Sequence, residues 1–548
     1  MLTTQEALTQ ARLILTALVQ VREEALARAR HLTQHGHDID AHQVHCERLA
    51  YRATEVRAAQ ALLHAAEMHG QDDAMMAYTA LAYVAEVHQN MLAEVGAHWS
   101  AYGLSEAVLA ETCAAEAVRQ AARTGAAEAL VCGIGQAVLD SNGVHTSRLG
   151  DEMAELTRQA VRDFTRQEVE PIAEWVHRHD ALAPDELITQ MGALGFFAMS
   201  IPEAYGGTGM GMLVMVITTE ELSRGSLGAA GSLITRPEIV ARALLDGGTE
   251  AQKQRWLPPI ASGALMVAVS VTEPDTGSDV ASITCRADAA EIGGQRGYVL
   301  NGAKAWCTFA GRADLIGLLA RTDGDGSRGA RGVSLFILEK PRFYGHDFAI
   351  TQPHGGTLRA KADATPGYRG MHSFTMQYEQ FFLPADCLVG EEAGHNRGFY
   401  LQMRGFANGR LQTGGRAVGL SQAALEKTVA YVKTRRQFGQ PIAAYPLTQY
   451  KIGRMATRLA AARHLTYAAA QAIDQGSETG LEAAMAKLLA SDVAVWLTQE
   501  GQLLHGGWGY AEETPISRYV VDAQVLPIFE GVRPILALKV IARQLLHG

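Results

Sequence analysis

The sequence predicts a multidomain, mainly α-helical protein with one β domain inserted between helical regions. Three observations lead there. The chain has 548 residues, too many for one core and enough for roughly three or four domains of about 150 residues each. Its first part is rich in Ala, Leu, Glu, Gln and His and has no proline before Pro171, which reads as several helices. Between about 265 and 390 the texture changes to short β-branched and aromatic runs, such as GYVLNGAKAWCTFAG and GVSLFILEK, separated by Gly and Asp, the mark of strands joined by turns.

In chain order, residues 1–145 are expected to form an extra helical domain. A second helical domain follows over 150–264, punctuated by the turn Ile201-Pro202-Glu203-Ala204-Tyr205-Gly206-Gly207. The β domain covers 265–395. Long Ala- and Leu-rich stretches return over 396–548 and read as a C-terminal helical bundle.

A content of 48% hydrophobic and 19% charged residues fits a globular chain and leaves no long disordered stretch. The formal net charge of −10 argues against general nucleic-acid binding, which needs basic surface. Six cysteines (Cys46, Cys113, Cys132, Cys285, Cys307, Cys387) show no CxxC spacing; buried thiols are expected, not disulfides, and no metal site is predicted. The start MLTTQEALTQARLIL lacks the basic and apolar regions of a targeting signal. No run of some 20 apolar residues occurs, so no membrane span is expected and the cytoplasm is the expected location.

Sliding the chain along itself by 406 positions pairs Gly70 with Gly476, Gly103 with Gly509, Gly125 with Gly531, Arg52 with Arg458 and Arg57 with Arg463. Residues 30–140 thereby echo 436–546 without a gap, as a degenerate internal copy would. Shared Ala-rich composition is the alternative.

Four segments carry chemistry. In Val271-Thr272-Glu273-Pro274-Asp275-Thr276-Gly277-Ser278-Asp279 a glycine-containing turn lets backbone N–H groups and a hydroxyl approach a flavin ring or phosphate. In Lys304-Ala305-Trp306-Cys307-Thr308 an indole can pack on an isoalloxazine and a hydroxyl can reach its N5 edge; alone, a core aromatic is the plainer reading. Arg435-Arg436-Gln437-Phe438-Gly439 offers a guanidinium fork for a pyrophosphate, where a solvated helix end is the usual explanation. Near the C-terminus Pro527-Ile528-Phe529-Glu530-Gly531 follows His505-Gly506-Gly507-Trp508, and Glu530 becomes the candidate base.

On these motifs, with the IPEAYGG turn and TEAQKQRWLPPIASG, the stretch from about 150 to 548 resembles the acyl-CoA dehydrogenase family. The resemblance implies that family's fold, namely a helical domain, a β-barrel and a four-helix bundle, here preceded by the extra helical domain. It implies FAD as cofactor, an acyl-CoA substrate and an electron-transfer flavoprotein as acceptor. Val271, Thr272, Gly277, Ser278, Trp306, Cys307 and Thr308 would contact the flavin, with Ser278 also on the substrate. Arg435 and Phe438 would serve the FAD of a neighbouring subunit, with Gly506 and Gly507 beside its pyrophosphate. Phe406 and Arg410 would flank the pantetheine, Gly531 would support the thioester and Glu530 would take the α-proton. Departures from the family pattern stand at Val532 and Pro534, where FAD hydrogen bonds are lost or replaced, and at Leu503, next to Gln502. A minority branch has its base at the position of Gly409, which leaves Glu530 alone in the role.

The added N-terminal domain further resembles a branch that oxidises a branched dicarboxylic thioester, and the family stretch matching SLITRPEIVARAL lines the far end of the acyl pocket. Arg236 there would face a substrate carboxylate, or else pair with Glu238 or Glu203 at the surface; Arg404 is a second candidate. The rivals are a dehydrogenase for another short or branched acyl-CoA, an acyl-CoA oxidase, and a non-catalytic flavin-binding scaffold. Many members are tetramers built through their C-terminal bundles, so a fused second bundle predicts a homodimer.

Overall fold

A computed structural model describes residues 2–69, 73–144, 149–324, 326–477 and 480–547. The chain forms two compact units, one from Met1–Leu156 with Thr413–Gly548 and one from Thr157–Gln412.

The second unit is built on an eight-stranded sheet: β1 Val267–Ser270, β2 Arg286–Ile292, β3 Gln295–Thr308, β4 Leu315–Arg321, β5 Val333–Glu339, β6 Asp347–Thr351, β7 Thr357–Ala362 and β8 Ser373–Pro384. The strand order is β1-β4-β2-β3-β8-β7-β6, with β5 on β4. Most pairs are antiparallel, while β1 runs parallel to β4. The runs LIGLLAR and VSLFILE are apolar almost throughout because β4 and nearly all of β5 are buried, as strands covered on both faces require. Helices Thr235–Gly247 and Glu250–Ala261 lie on them, their Val240, Leu244, Trp256 and Ile260 sharing one core with Leu315, Leu319, Leu335 and Ile337. The second of these helices starts in a capping box of Thr249 and Gln252, which satisfies two orphan N–H donors.

β3 is 14 residues long and slips register against β8 between Lys304 and Cys307. That bulge puts Trp306 at φ +57° and turns its indole outward, 58% exposed, between the buried Ala305 and Cys307. A bulge re-aims a side chain in this way without ending the strand.

The other unit is helical. Its N-terminal part contains Thr4–Leu32, Gln43–His69, Ala74–Tyr102, Glu116–Gly125 and Glu128–Asp140; its C-terminal part contains the end of Gly398–Thr434, then Pro446–Asp474, Gly480–His505, Ile516–Ala523 and a run from Arg533 to His547. The two parts pack closely. A Cβ on Gly135 would stand 1.9 Å from the Gln449 carbonyl oxygen, and one on Gly453 2.1 Å from that of Val131, so two helix backbones touch where only glycine fits. Arg458 Nε donates to Glu86 at 2.7 Å, and Arg30 donates to the Leu545 carbonyl at 2.9 Å. Carried forward by 406 positions, Gln43–His69 falls on 449–475 and Ala74–Tyr102 on 480–508, beside the helices Pro446–Asp474 and Gly480–His505. Gly70, one of the paired glycines, lies outside the described residues. All six cysteines are free thiols; Cys132 alone is half-exposed and the rest are buried.

Candidate active site

In the sheet unit the turn after β1 is clamped from behind. Lys304, with no exposed side-chain surface, donates to the Val271 carbonyl at 3.0 Å and to Glu273 Oε1 at 2.9 Å. Glu273 also accepts from the N–H groups of Thr284 at 2.7 Å and Cys285 at 2.9 Å. Burial pushes the Glu273 carboxyl upward, but Lys304 and these donors outweigh it and hold it below the usual carboxylate range. Ala305 N donates to the Thr272 carbonyl at 2.8 Å, which ties the turn to β3. Its outer side is open: Gly277 and Ser278 are exposed, and a Cβ on Gly277 would meet nothing nearer than 3.7 Å. Thr272 is half-exposed.

Trp306 and Thr308 stand on β3, with Thr308 Oγ1 sharing a proton with Ser373 Oγ at 2.9 Å. Cys307 lies in the core, where burial pushes its thiol up to about 12; a cofactor contact there falls to its backbone.

Arg236 lies on the helix Thr235–Gly247 and is 7% exposed. Its Nη1 donates to the Ser232 carbonyl at 3.2 Å and to the Tyr368 hydroxyl at 2.9 Å, and no ion pair joins it to a carboxylate among the described residues. The surface pairing with Glu238 or Glu203 is not formed, because Asn408 at 2.8 Å and Gln412 hold the buried Glu238 and Glu203 is exposed. Arg404, by contrast, is 68% exposed and lies 3.6 Å from Asp246. Phe406 packs against the core, and Arg410 is half-buried one turn further on.

In the helical unit Glu530 sits at φ +54° before Gly531 at φ +106°, a conformation rarely adopted outside glycine and found where function requires it. Its side chain is 8% exposed. Thr413 Oγ1 donates to Oε2 at 2.7 Å, and Arg416 Nη2 donates to Oε1 at 2.8 Å. Arg416 is fully buried and lies over the Phe529 ring, 4.6 Å from its centroid. Lys487 Nζ donates to the Gly531 carbonyl at 2.5 Å. The strained pair is thus fixed at both ends.

A cavity of about 660 Å³ in the same unit gathers Arg435, Gly506 and Gly507 with Tyr431, His505 and Trp508. Gly506 has φ +61°, and no atom lies within 4 Å of a Cβ at either glycine, so bare backbone faces the opening. Tyr431 stacks on His505 at 4.2 Å and donates to its carbonyl at 3.0 Å. Phe438 stands away from this group, 95% exposed at φ +50°. Gln502 is occupied with the Gly509 carbonyl at 3.1 Å, and Leu503 is 68% exposed.

These features fit FAD: an exposed indole and an open turn suit a flavin ring, and a glycine-lined cavity with an arginine suits a pyrophosphate. In the sheet unit the exposed indole and open turn are equipment for holding a flavin; in the helical unit, taken by itself, a buried and oriented carboxylate is equipment for taking a proton. The comparisons agree. The chain belongs to the acyl-CoA dehydrogenase family, whose N-terminal, middle and C-terminal domain models match residues 151–264, 268–380 and 396–546. It is 40% identical over 441 residues to the (2S)-methylsuccinyl-CoA dehydrogenase of Cereibacter sphaeroides, covering 79% of this chain and 77% of that protein. A solved glutaryl-coenzyme A dehydrogenase in complex with glutaryl-CoA superposes with TM-score 0.64 at 30% identity, covering 72% of this chain and 94% of that one. A chain from work on the electron transferring flavoprotein of Acidaminococcus fermentans superposes with TM-score 0.66 at 31% identity, over 74% of this chain and all of that one. The protein is an FAD-dependent enzyme that dehydrogenates short or branched acyl-CoAs.

Sequence reasoning missed Thr413, Arg416, Lys487, Ser373 and Tyr368. Arg416 precedes Glu530 by 114 positions, and Tyr368 follows Arg236 by 132, so no local pattern joins either pair. Lys304 did lie inside a recognised motif, and a lysine in a strand of buried residues was the available sign of a buried partner.

Proposed function

We propose that the enzyme oxidises (2S)-methylsuccinyl-CoA to mesaconyl-CoA. The observation that carries this reading is Arg236, a buried guanidinium bonded, among the described residues, only to a carbonyl and a hydroxyl. An arginine takes a carboxylate in a forked, charge-assisted pair, and leaving a buried charge without one costs several kcal/mol. A substrate whose acyl chain ends in a carboxylate provides the counter-charge, and the methylsuccinyl-CoA dehydrogenase relative supports that choice.

Glu530 takes the α-proton of the thioester. Thr413 and Arg416 hold its carboxylate in one orientation, so little reorganisation is needed at the moment of transfer. When bound, FAD would supply the hydride acceptor for the β-hydrogen. Val271, Thr272, Gly277, Ser278, Trp306 and Thr308 hold the flavin ring, with Cys307 contributing its backbone, and Ser278 also touches substrate. Phe406 and Arg410 flank the pantetheine while Gly531 supports the thioester. Arg435, Phe438, Gly506 and Gly507 serve the FAD of a second copy of the chain in a homodimer. The N-terminal helices are a degenerate copy of the C-terminal bundle, with Thr124 at the place of Glu530 and Ala29 and Leu32 at those of Arg435 and Phe438, and bind no flavin. Electrons leave to an electron-transfer flavoprotein, in the cytoplasm; among the described residues no helix is long and apolar enough to cross a membrane.

The test compares wild type with Arg236→Met on methylsuccinyl-CoA and on an uncharged short-chain acyl-CoA. Losing the carboxylate's partner lowers kcat/KM on the dicarboxylate far more than on the neutral thioester. An equal effect on both would assign Arg236 to structure alone.

A further inference from the structure

Tyr368, the partner of Arg236, belongs to a segment with an unusual backbone. Tyr368, Gly370 and His372 all have positive φ, at +60°, +103° and +48°. Outliers of this kind cluster at ligand clamps. At the end of the segment three side chains from distant parts of the sheet unit converge. Asp180 follows the helix Glu170–Arg178 and also has positive φ, at +50°. His346 lies between β5 and β6, and His372 directly precedes β8.

His372 Nε2 lies 3.2 Å from Asp180 Oδ1, and His346 Nε2 lies 3.8 Å from Asp180 Oδ2. The imidazole rings face each other at 4.6 Å with a 37° tilt, and one ligand atom from each of the three residues lies within 4.8 Å of the others. A tetrahedral zinc ion with bonds of about 2.0–2.2 Å sets its ligand atoms roughly 3.4 Å apart. The ligand atoms, within 4.8 Å of one another, therefore need to close by no more than about 1.4 Å to chelate an ion. The movement falls on His346, whose side chain is 53% exposed and can adjust, while His372 is 5% exposed and fixed. Arg369 Nε, 3.3 Å from Asp180 Oδ1, steadies the carboxylate, and its Nη1 is anchored on the His177 carbonyl at 2.8 Å.

We propose that Asp180, His346 and His372 bind one divalent transition-metal ion of zinc type, which ties the turn at 180 and the loop at 346 to the start of β8. Two imidazoles and one carboxylate favour zinc, cobalt or nickel over magnesium or calcium, which prefer oxygen sets. With three protein ligands, water completes the shell. The ion is structural: zinc has no redox chemistry, so no electron passes through it. Its effect is to fix the segment that carries Tyr368, four residues from His372.

The experiment takes tag-free holoenzyme, strips it with chelator, desalts it and titrates it with Zn²⁺, reading bound metal by elemental analysis after dialysis and Tm alongside. Wild type is expected to keep one zinc per chain and to gain Tm. His346→Ala and Asp180→Asn, checked for normal FAD content, are expected to bind at least about tenfold more weakly and to lose the Tm gain. No zinc retained by wild type, or equal retention by wild type and both variants, overturns the proposal. The exposed His346 makes its alanine variant safe for folding, and should Asp180→Asn misfold, His346→Ala alone decides.

Discussion

Removing Arg416 isolates what its ion pair does for Glu530. The two side chains are 0% and 8% exposed and meet at 2.8 Å. At an effective dielectric of about 20 the gross attraction is roughly 6 kcal/mol, of which desolvation cancels a large part. Losing an opposite charge at this distance moves a carboxylate's titration upward by about 1–3 pH units. With Glu530 as the proposed base, the rate falls when it is protonated, so the acid limb of the kcat/KM profile for Arg416→Gln should shift alkaline. Above that limb the turnover should hold or rise, since a weaker acid is a stronger base. Arg416→Lys keeps the charge and should move the limb by less. The assay is kcat/KM against pH with an artificial acceptor, alongside Tm and FAD content. An acid limb that stays in place in a folded, flavin-loaded Arg416→Gln would refute this view of how Glu530 is held.

Glu530→Gln should keep fold and FAD and lose nearly all flavin reduction, seen as absent bleaching when acyl-CoA is added without oxygen. Lys304→Met should leave Glu273 buried without its cation and cost about 3–5 kcal/mol, read as a fall in Tm with loss of bound FAD. Gly453→Ala would drive a methyl into the Val131 carbonyl and should destabilise the helical unit by about 1–3 kcal/mol or more, again by Tm; an unchanged Tm would mean the helices separate at little cost. Glu55 has a side chain only 16% exposed, and burial raises its carboxyl from 4.5 to about 7. Its folded state binds the proton more tightly than the unfolded one, so its contribution is fully present below about 4.5 and lost as pH climbs through about 7. Glu55→Gln should therefore flatten the Tm profile between pH 5 and 7, where the wild-type value declines.

Much of the fold was legible because its signals are local. The β texture from 265 to 390 is periodicity and turn chemistry within short windows, and the strands occupy Val267–Pro384. The proline-free start became long helices for the same reason. Of the candidate site, the turn at 272–278 and Glu530 could be proposed from the sequence because their residues stand in compact motifs. What holds them was not. Thr413 and Arg416 reach Glu530 only once a helix is laid beside the loop, and Tyr368 reaches Arg236 only through a segment bent by positive φ. The orientation of Cys307 was hidden too, because the bulge that turns Trp306 outward decides which side its neighbours face.

The central claim, α,β-dehydrogenation of a dicarboxylic acyl-CoA with Glu530 as base, is tested most directly by anaerobic stopped-flow measurement of flavin bleaching. FAD-loaded wild type and Glu530→Gln would be mixed in turn with methylsuccinyl-CoA, isovaleryl-CoA, butyryl-CoA and glutaryl-CoA. The account predicts rapid bleaching of wild type that is fastest with methylsuccinyl-CoA, and none in Glu530→Gln. Faster bleaching by a neutral thioester, or comparable bleaching in the variant, would contradict it.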